Sequence, residues 1–231
     1  MRFAVIQFGG SNCDLDTQYI CEEICGVDTD LIWYKDGIKN DYDAIIIPGG
    51  FSYGDYLRSG AIAAKTDIMQ DIQSHASNGG LVLGICNGAQ IGCETGLIEG
   101  IFTRNRYPKF ISKPVCLRVE NNISPFTSIY QKGEVIHIPI AHKDGRYVAP
   151  KDVTSRLNKN NQIALRFCDQ NGNVNEESNP NGSKENITGV LNRDMNVMVM
   201  MPHPERASEM LLGSEDGLKI FKSMVSYSEK M

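Results

Sequence analysis
Apolar positions along the first hundred residues follow two alternating periods. Nearly unbroken apolar runs at residues 3–8, 31–34, 44–47 and 81–85 read as strands buried on both faces. Between them, residues 14–25 and 58–77 space their apolar side chains for one face of a helix. The first of these helices opens on Asp14 and closes at Gly26, and the second ends at Asn78-Gly79-Gly80. The run at 81–85 passes directly into a helical stretch that reaches Gly96. This βαβ order predicts a parallel sheet with helices on both faces. The middle of the chain differs. Residues 115–119, 134–140, 164–168 and 187–191 read as antiparallel strands joined by turns, with a polar, turn-rich loop at 169–186. A buried strand at 197–201 stops at Pro202, a turn spans 207–210, and a helix over 216–226 closes the chain. The expected fold is α/β, a mostly parallel central sheet with an added antiparallel portion. With no repeat, linker or low-complexity block, a single domain over residues 1–231 is expected.

Composition narrows the class. A hydrophobic content of 41% supports a sizeable core. A net charge of −5 and the absence of any Lys/Arg run argue against a nucleic-acid partner. Membrane insertion is not expected, because no apolar run approaches the roughly 18–20 residues of a span. The N-terminal Met-Arg-Phe-Ala-Val-Ile-Gln-Phe reads as a strand rather than a signal peptide. Seven cysteines, an odd number, fit reduced thiols in a cytoplasmic protein better than a disulfide framework. Cys21 and Cys25 share a helix face, but without a C-x-x-C pair or clustered histidines no metal site is expected. The Asn-x-Ser/Thr matches at Asn122, Asn181 and Asn186 are read as chance.

The candidate chemistry sits at strand ends, where open α/β sheets gather their ligands. In Gly79-Gly-Leu-Val-Leu-Gly-Ile-Cys-Asn-Gly-Ala-Gln90, Cys86 lies between Gly84 and Gly88 at a strand-to-helix turn. This is the thiol form of the nucleophile elbow. Such a turn strains the nucleophile's backbone and places the sulfur at a helix N-terminus, which favours thiolate over thiol. The Asn87 N–H then faces an oxyanion forming on an attacked carbonyl. The alternative is a buried structural cysteine. Pro48-Gly-Gly50 follows another buried strand, so the Gly50 N–H is a candidate second oxyanion donor, or the pair is an ordinary tight turn. His203, between prolines in Met201-Pro-His-Pro-Glu-Arg206, is the candidate base and Glu205 its orienting acceptor.

Pro48-Gly-Gly50, Gly84-Ile-Cys-Asn-Gly-Ala-Gln90 and Pro202-His-Pro-Glu205 together resemble the class I (triad) glutamine amidotransferases. Further motifs narrow the resemblance: Gly10-Ser-Asn-Cys-Asp14, Gly49-Gly-Phe-Ser-Tyr-Gly-Asp-Tyr-Leu-Arg58, Leu117-Arg-Val-Glu-Asn-Asn122, Ile138-Pro-Ile-Ala-His142, Asn179-Pro-Asn-Gly-Ser183 and Met201-Pro-His-Pro-Glu-Arg-Ala-Ser208. These are similar to the family of glutaminase subunits of phosphoribosylformylglycinamidine synthase, a purine-biosynthetic enzyme. Gly9, Ala89 and Lys143 depart from that family's usual Pro, large aromatic and Gly. Ala89 leaves room near the nucleophile.

The resemblance implies a three-layer amidotransferase fold and glutamine hydrolysis through a Cys86 thioester. Gly50 and Asn87 would hold the oxyanion, with His203 as proton carrier and Glu205 as its orienter. It also implies a substrate contact for Gln90, which read by itself is an exposed helix residue. The chain shows neither a Walker-type phosphate loop nor a dinucleotide fingerprint. ATP and Mg are therefore expected on a large synthetase subunit, joined by a small third subunit, with docking through Arg58 and residues 51–57. Two other readings stay open here: a cysteine-elbow hydrolase or redox-stress protein of the same broad fold, and a non-enzymatic binding module.

Overall fold
The computed structural model describes residues 1–39 and 41–229. Its strands are β1 (Arg2–Gln7), β2 (Asp28–Trp33), β3 (Ala44–Ile47), β4 (Leu81–Ile85), β5 (Ile101–Thr103) and β6 (Ile111–Val119). They continue as β7 (Val135–His142), β8 (Arg146–Val148), β9 (Ile163–Cys168), β10 (Ile187–Leu191) and β11 (Val197–Met200). The helices are α1 (Asp14–Tyr19), α2 (Ile68–Ser77), α3 (Asn87–Glu94), α4 (Lys151–Lys159) and α5 (Leu218–Ser228).

One nine-stranded sheet runs in the order β2-β1-β3-β4-β11-β10-β9-β6-β7. From β2 through β11 every neighbour is parallel, and from β11 to β7 every step is antiparallel. Every residue of β3, β4 and β11 is buried, which is why these strands read as unbroken apolar runs. β1 steps to β2 on one side, while β3 steps to β4 on the other. Right-handed crossovers then put α1 and α2 on opposite faces of the sheet. Because β1, β3, β4 and β11 are parallel, their carboxyl ends open on one edge, and the order of winding reverses between β1 and β3, which makes a switch point there. Among the described residues no helix is long and apolar enough to cross a membrane.

Several boundaries differ from the sequence reading. The helix expected over 58–77 is α2 alone. Before it lie turns and a short 3-10 segment, Ala63–Lys65, which Thr66 ends in extended conformation. The apolar residues there are buried by packing over α3 rather than along a helix face. At Gly60 an added Cβ would lie 2.8 Å from the Ile91 backbone nitrogen. The helix expected over 14–25 changes after Tyr19 into a π turn, Ile20–Ile24. β6 begins before the expected 115, and Pro114 sits in register opposite Pro139 of the edge strand β7. α4 and the small β5–β8 sheet had no counterpart in the sequence reading.

Candidate active site
At the end of β4 the chain turns into α3 through Cys86, whose φ of 49° and ψ of −101° lie outside the ordinary regions for an L-residue. Such a conformation costs on the order of 1–3 kcal/mol and persists only where the surroundings fix it. Here the fixing is steric. A Cβ on Gly88 would run into the Ile47 carbonyl at the end of β3, and one on Gly84 would stand 2.7 Å from the Gly88 carbonyl oxygen. The glycine spacing around the cysteine is the imprint of this close approach.

β11, the neighbour of β4, delivers the second group. His203 and Glu205 are buried, and His203 Nδ1 lies 2.6 Å from Glu205 Oε1. The Pro139 carbonyl of β7 accepts the His203 backbone N–H at 2.8 Å, tying this turn to the antiparallel half. Burial opposes a charge on the His203 ring but is outweighed by Glu205, then Cys86 and Cys13. The ring's proton affinity therefore lies well above the usual histidine range. His203 Nε2 is buried with no hydrogen-bond partner among the described residues. The Cys86 thiol points to the Ala141 carbonyl, 3.7 Å away. Thiol and ring nevertheless influence each other directly, Cys86 raising the ring's proton affinity.

The β3 end supplies Gly49 and Gly50. An added Cβ on Gly49 would meet His203 Cε1 at 2.8 Å and Cys13 Sγ at 3.2 Å, so the glycine lets the ring and both loops close together. Gly49 accepts from the Asn12 and Cys13 backbone at 3.1 and 3.2 Å, binding the β1 end to the β3 end. Asn87 accepts from the Ser52 N–H at 3.1 Å through its side chain, which links the loop after Gly50 to the start of α3. Gln90 is neither exposed nor free. It is buried, its Oε1 accepts from Asn87 Nδ2 at 2.8 Å, and its Nε2 donates to the Asp144 carbonyl at 2.8 Å. In this structure Gln90 braces α3 against the turn after β7.

Three groups at the site had no role in the sequence reading. Cys13 and Arg206 stand beside His203 and Glu205, although both fall within the motifs that carry the resemblance. The third is His142, at the end of β7. Its Nδ1 lies 3.2 Å from Asn105 Oδ1 and its Nε2 3.5 Å from Asn181 Nδ2, a pattern that fits the neutral Nδ1–H tautomer. Burial, followed by the neighbouring His203 charge, lowers its pKa to about 4. Cys13, His203 and Glu205 also bring potential metal-ligand atoms within 4.8 Å of one another. Those atoms already serve one another and Arg206, whose Nη2 is 3.0 Å from Cys13 Sγ. Elsewhere burial raises the Cys21 and Cys93 thiols far above their ordinary range and Cys168 to about 11, which disfavours their thiolates.

Residues 1–228 match the family described as the CobB/CobQ-like glutamine amidotransferase domain. The chain is 51% identical to the phosphoribosylformylglycinamidine synthase subunit PurQ of Methanosarcina barkeri, over 98% of each chain. It is 50% identical to that of Methanocaldococcus jannaschii over the whole of both. Among solved structures it resembles a chain of PurLQS from Thermotoga maritima, with 47% identity, a TM-score of 0.86 and 98% of each chain covered. The glutaminase domain of Trypanosoma brucei CTPS with bound acivicin shares 16% identity and a TM-score of 0.58, covering 100% of this chain and 94% of that one; it shows the common fold.

Proposed function
This chain belongs to the CobB/CobQ-like glutamine amidotransferase family, and from that membership we propose that it is the glutaminase subunit of a phosphoribosylformylglycinamidine synthase. It would hydrolyse glutamine to glutamate and ammonia. The ammonia would pass to a synthetase subunit that converts formylglycinamide ribonucleotide to formylglycinamidine ribonucleotide with ATP. Full-length similarity to the PurQ subunits supports this reading over the hydrolase and binding-module alternatives. The partners would be a large synthetase subunit and a small third subunit, in keeping with the three components that the name PurLQS gives the Thermotoga maritima assembly. ATP and Mg would bind the synthetase. The cytoplasm, where seven unpaired cysteines stay reduced, is the compartment we assign.

The chemistry follows from the site. His203 takes the Cys86 thiol proton as the sulfur attacks the side-chain amide carbon of glutamine, and the Gly50 and Asn87 N–H groups face the developing oxyanion. His203 transfers a proton to the departing nitrogen as the C–N bond breaks, which leaves a thioester and free ammonia. The same ring then takes a proton from water, whose oxygen attacks the thioester. Glutamate leaves and the thiol is restored. Glu205 holds the ring's other nitrogen throughout.

The observation that carries this reading is the strained Cys86 on β4 beside a His203–Glu205 pair on the adjacent strand's end. A glutamine-analogue electrophile should label Cys86, as mapped by peptide mass spectrometry, and Cys86→Ala should abolish hydrolysis. Labelling at Cys13 or Cys93 in place of Cys86 would remove the assignment.

A further inference from the structure
Cys13 and Arg206 take no part in the steps above, yet they sit against the two groups that move the proton. Cys13 follows the β1 end and is 1% exposed, with its sulfur 3.8 Å from His203 Nδ1. That sulfur accepts an N–H from Arg206 Nη2 at 3.0 Å. Arg206 Nε in turn lies 3.8 Å from Glu205 Oε1, the oxygen bound to His203. Glu205 Oε2 is buried without a hydrogen-bond partner among the described residues. A carboxylate so deep, with a single close donor, needs a compensating charge.

We infer that Cys13 and Arg206 are positioning residues of the glutaminase site: the Cys13 sulfur anchors the guanidinium beside Glu205, and that fixed positive charge limits how tightly His203 holds its proton. This rests on the glutaminase reading. A ring that carries a proton to the leaving nitrogen must also give it up again to serve as base for the water. The groups facing the ring push the other way. Glu205 on the same turn, Cys86 at the β4 end and Cys13 before α1 all favour the charged ring, whereas burial opposes it and His142 at the β7 end is a neutral neighbour. Arg206 is the permanently charged cation in this set, and Cys13 holds it in place. Gly49 closes the arrangement, since a side chain there would separate the ring from the thiol.

The test is a titration of ring-labelled histidines by NMR in the folded chain, paired with the pH profile of glutamine hydrolysis in the assembled enzyme. Removing a positive charge favours the protonated ring. In Arg206→Gln the His203 midpoint should therefore rise, by about half to one pH unit. The acid limb of kcat/KM should move the same way, with a loss of about three- to tenfold near neutral pH and little change in KM. Arg206→Lys should recover most of the midpoint. In Cys13→Ala two changes oppose, loss of the sulfur's own support for the charged ring and release of Arg206, so the midpoint should move less than in Arg206→Gln. Cys13→Ser, which restores an acceptor for the guanidinium, should return it toward wild type. An unmoved His203 midpoint in folded Arg206→Gln overturns the inference. So does a Cys13→Ser variant no closer to wild type than Cys13→Ala, a comparison that survives even if Arg206→Gln misfolds. The midpoint is read without glutamine, so its failure is separable from failure of the glutaminase reading.

Discussion
At the scale of single residues, the proposed mechanism divides one task between His203 as carrier and Glu205 as holder. His203→Ala removes the group that moves the proton, whereas Glu205→Gln leaves a neutral acceptor against Nδ1. Loss of the carrier from such a unit costs several orders of magnitude, and loss of the holder less. Single-turnover rates of thioester formation should therefore rank wild type, Glu205→Gln and His203→Ala in descending order. Equal rates in the two folded variants would show that the division does not exist. The grouping of Cys86, His203 and Glu205 was legible because its spacing records steric necessity: small residues where strand and helix nearly touch, and a carboxylate two positions from the histidine. Cys13 was not legible as a neighbour of His203. The two lie 190 positions apart, and only the Gly49 turn and its hydrogen bonds bring them together.

At the scale of elements, the segment after β3 is the least ordinary backbone near the site. Tyr53, Gly54, Asp55 and Leu57 all have positive φ, and Leu57 is 90% exposed beside an exposed Tyr56. Its inner end is fixed: the Ser52 N–H is bound to Asn87, and the Tyr53 N–H to the Gly9 carbonyl at 2.7 Å. Movement of this segment would thus reach Asn87 beside Cys86. Arg58, expected at the docking face, is exposed and also paired with Glu94 at the end of α3. Arg58→Glu should weaken activation by the synthetase more than basal hydrolysis, when both rates are measured on the same preparation. An equal loss in the two rates would place Arg58 outside the docking surface. The same scale shows where periodicity misleads. α4 went unseen because only Thr154 and Leu157 are buried on it, too few to mark a face. α2 was extended too far because apolar residues in a packed loop mimic helical spacing.

At the scale of the whole molecule, the parallel half carries Cys86, and the end of β7 in the antiparallel half meets it at the Ala141 carbonyl, where the neighbouring His142 is held by Asn105 and Asn181. A buried histidine with a pKa of about 4 ties this junction to stability. The unfolded ring, at about 6.5, takes up a proton that the folded ring refuses, so stability is lost as pH falls from 6.5 toward 4. The contribution is on the order of 3 kcal/mol. Denaturation midpoints measured across that window should fall less steeply in His142→Asn than in wild type, and parallel slopes would contradict this. The parallel half of the fold was readable from its doubly buried strands. The order of the antiparallel half depends on long-range pairing that local pattern does not encode. We propose that the site is coupled to its partner: the Cys86 thiol is aimed at the Ala141 carbonyl and His203 Nε2 has no hydrogen-bond partner among the described residues, and docking of the synthetase would align the two. The most direct measurement is ammonia release from glutamine by the chain alone and with the synthetase, the small subunit, nucleotide and ribonucleotide substrate. We predict slow release alone, a rise of about an order of magnitude or more on assembly, and none in either state for Cys86→Ala. Full activity in the isolated chain, unchanged by its partners, would contradict the account.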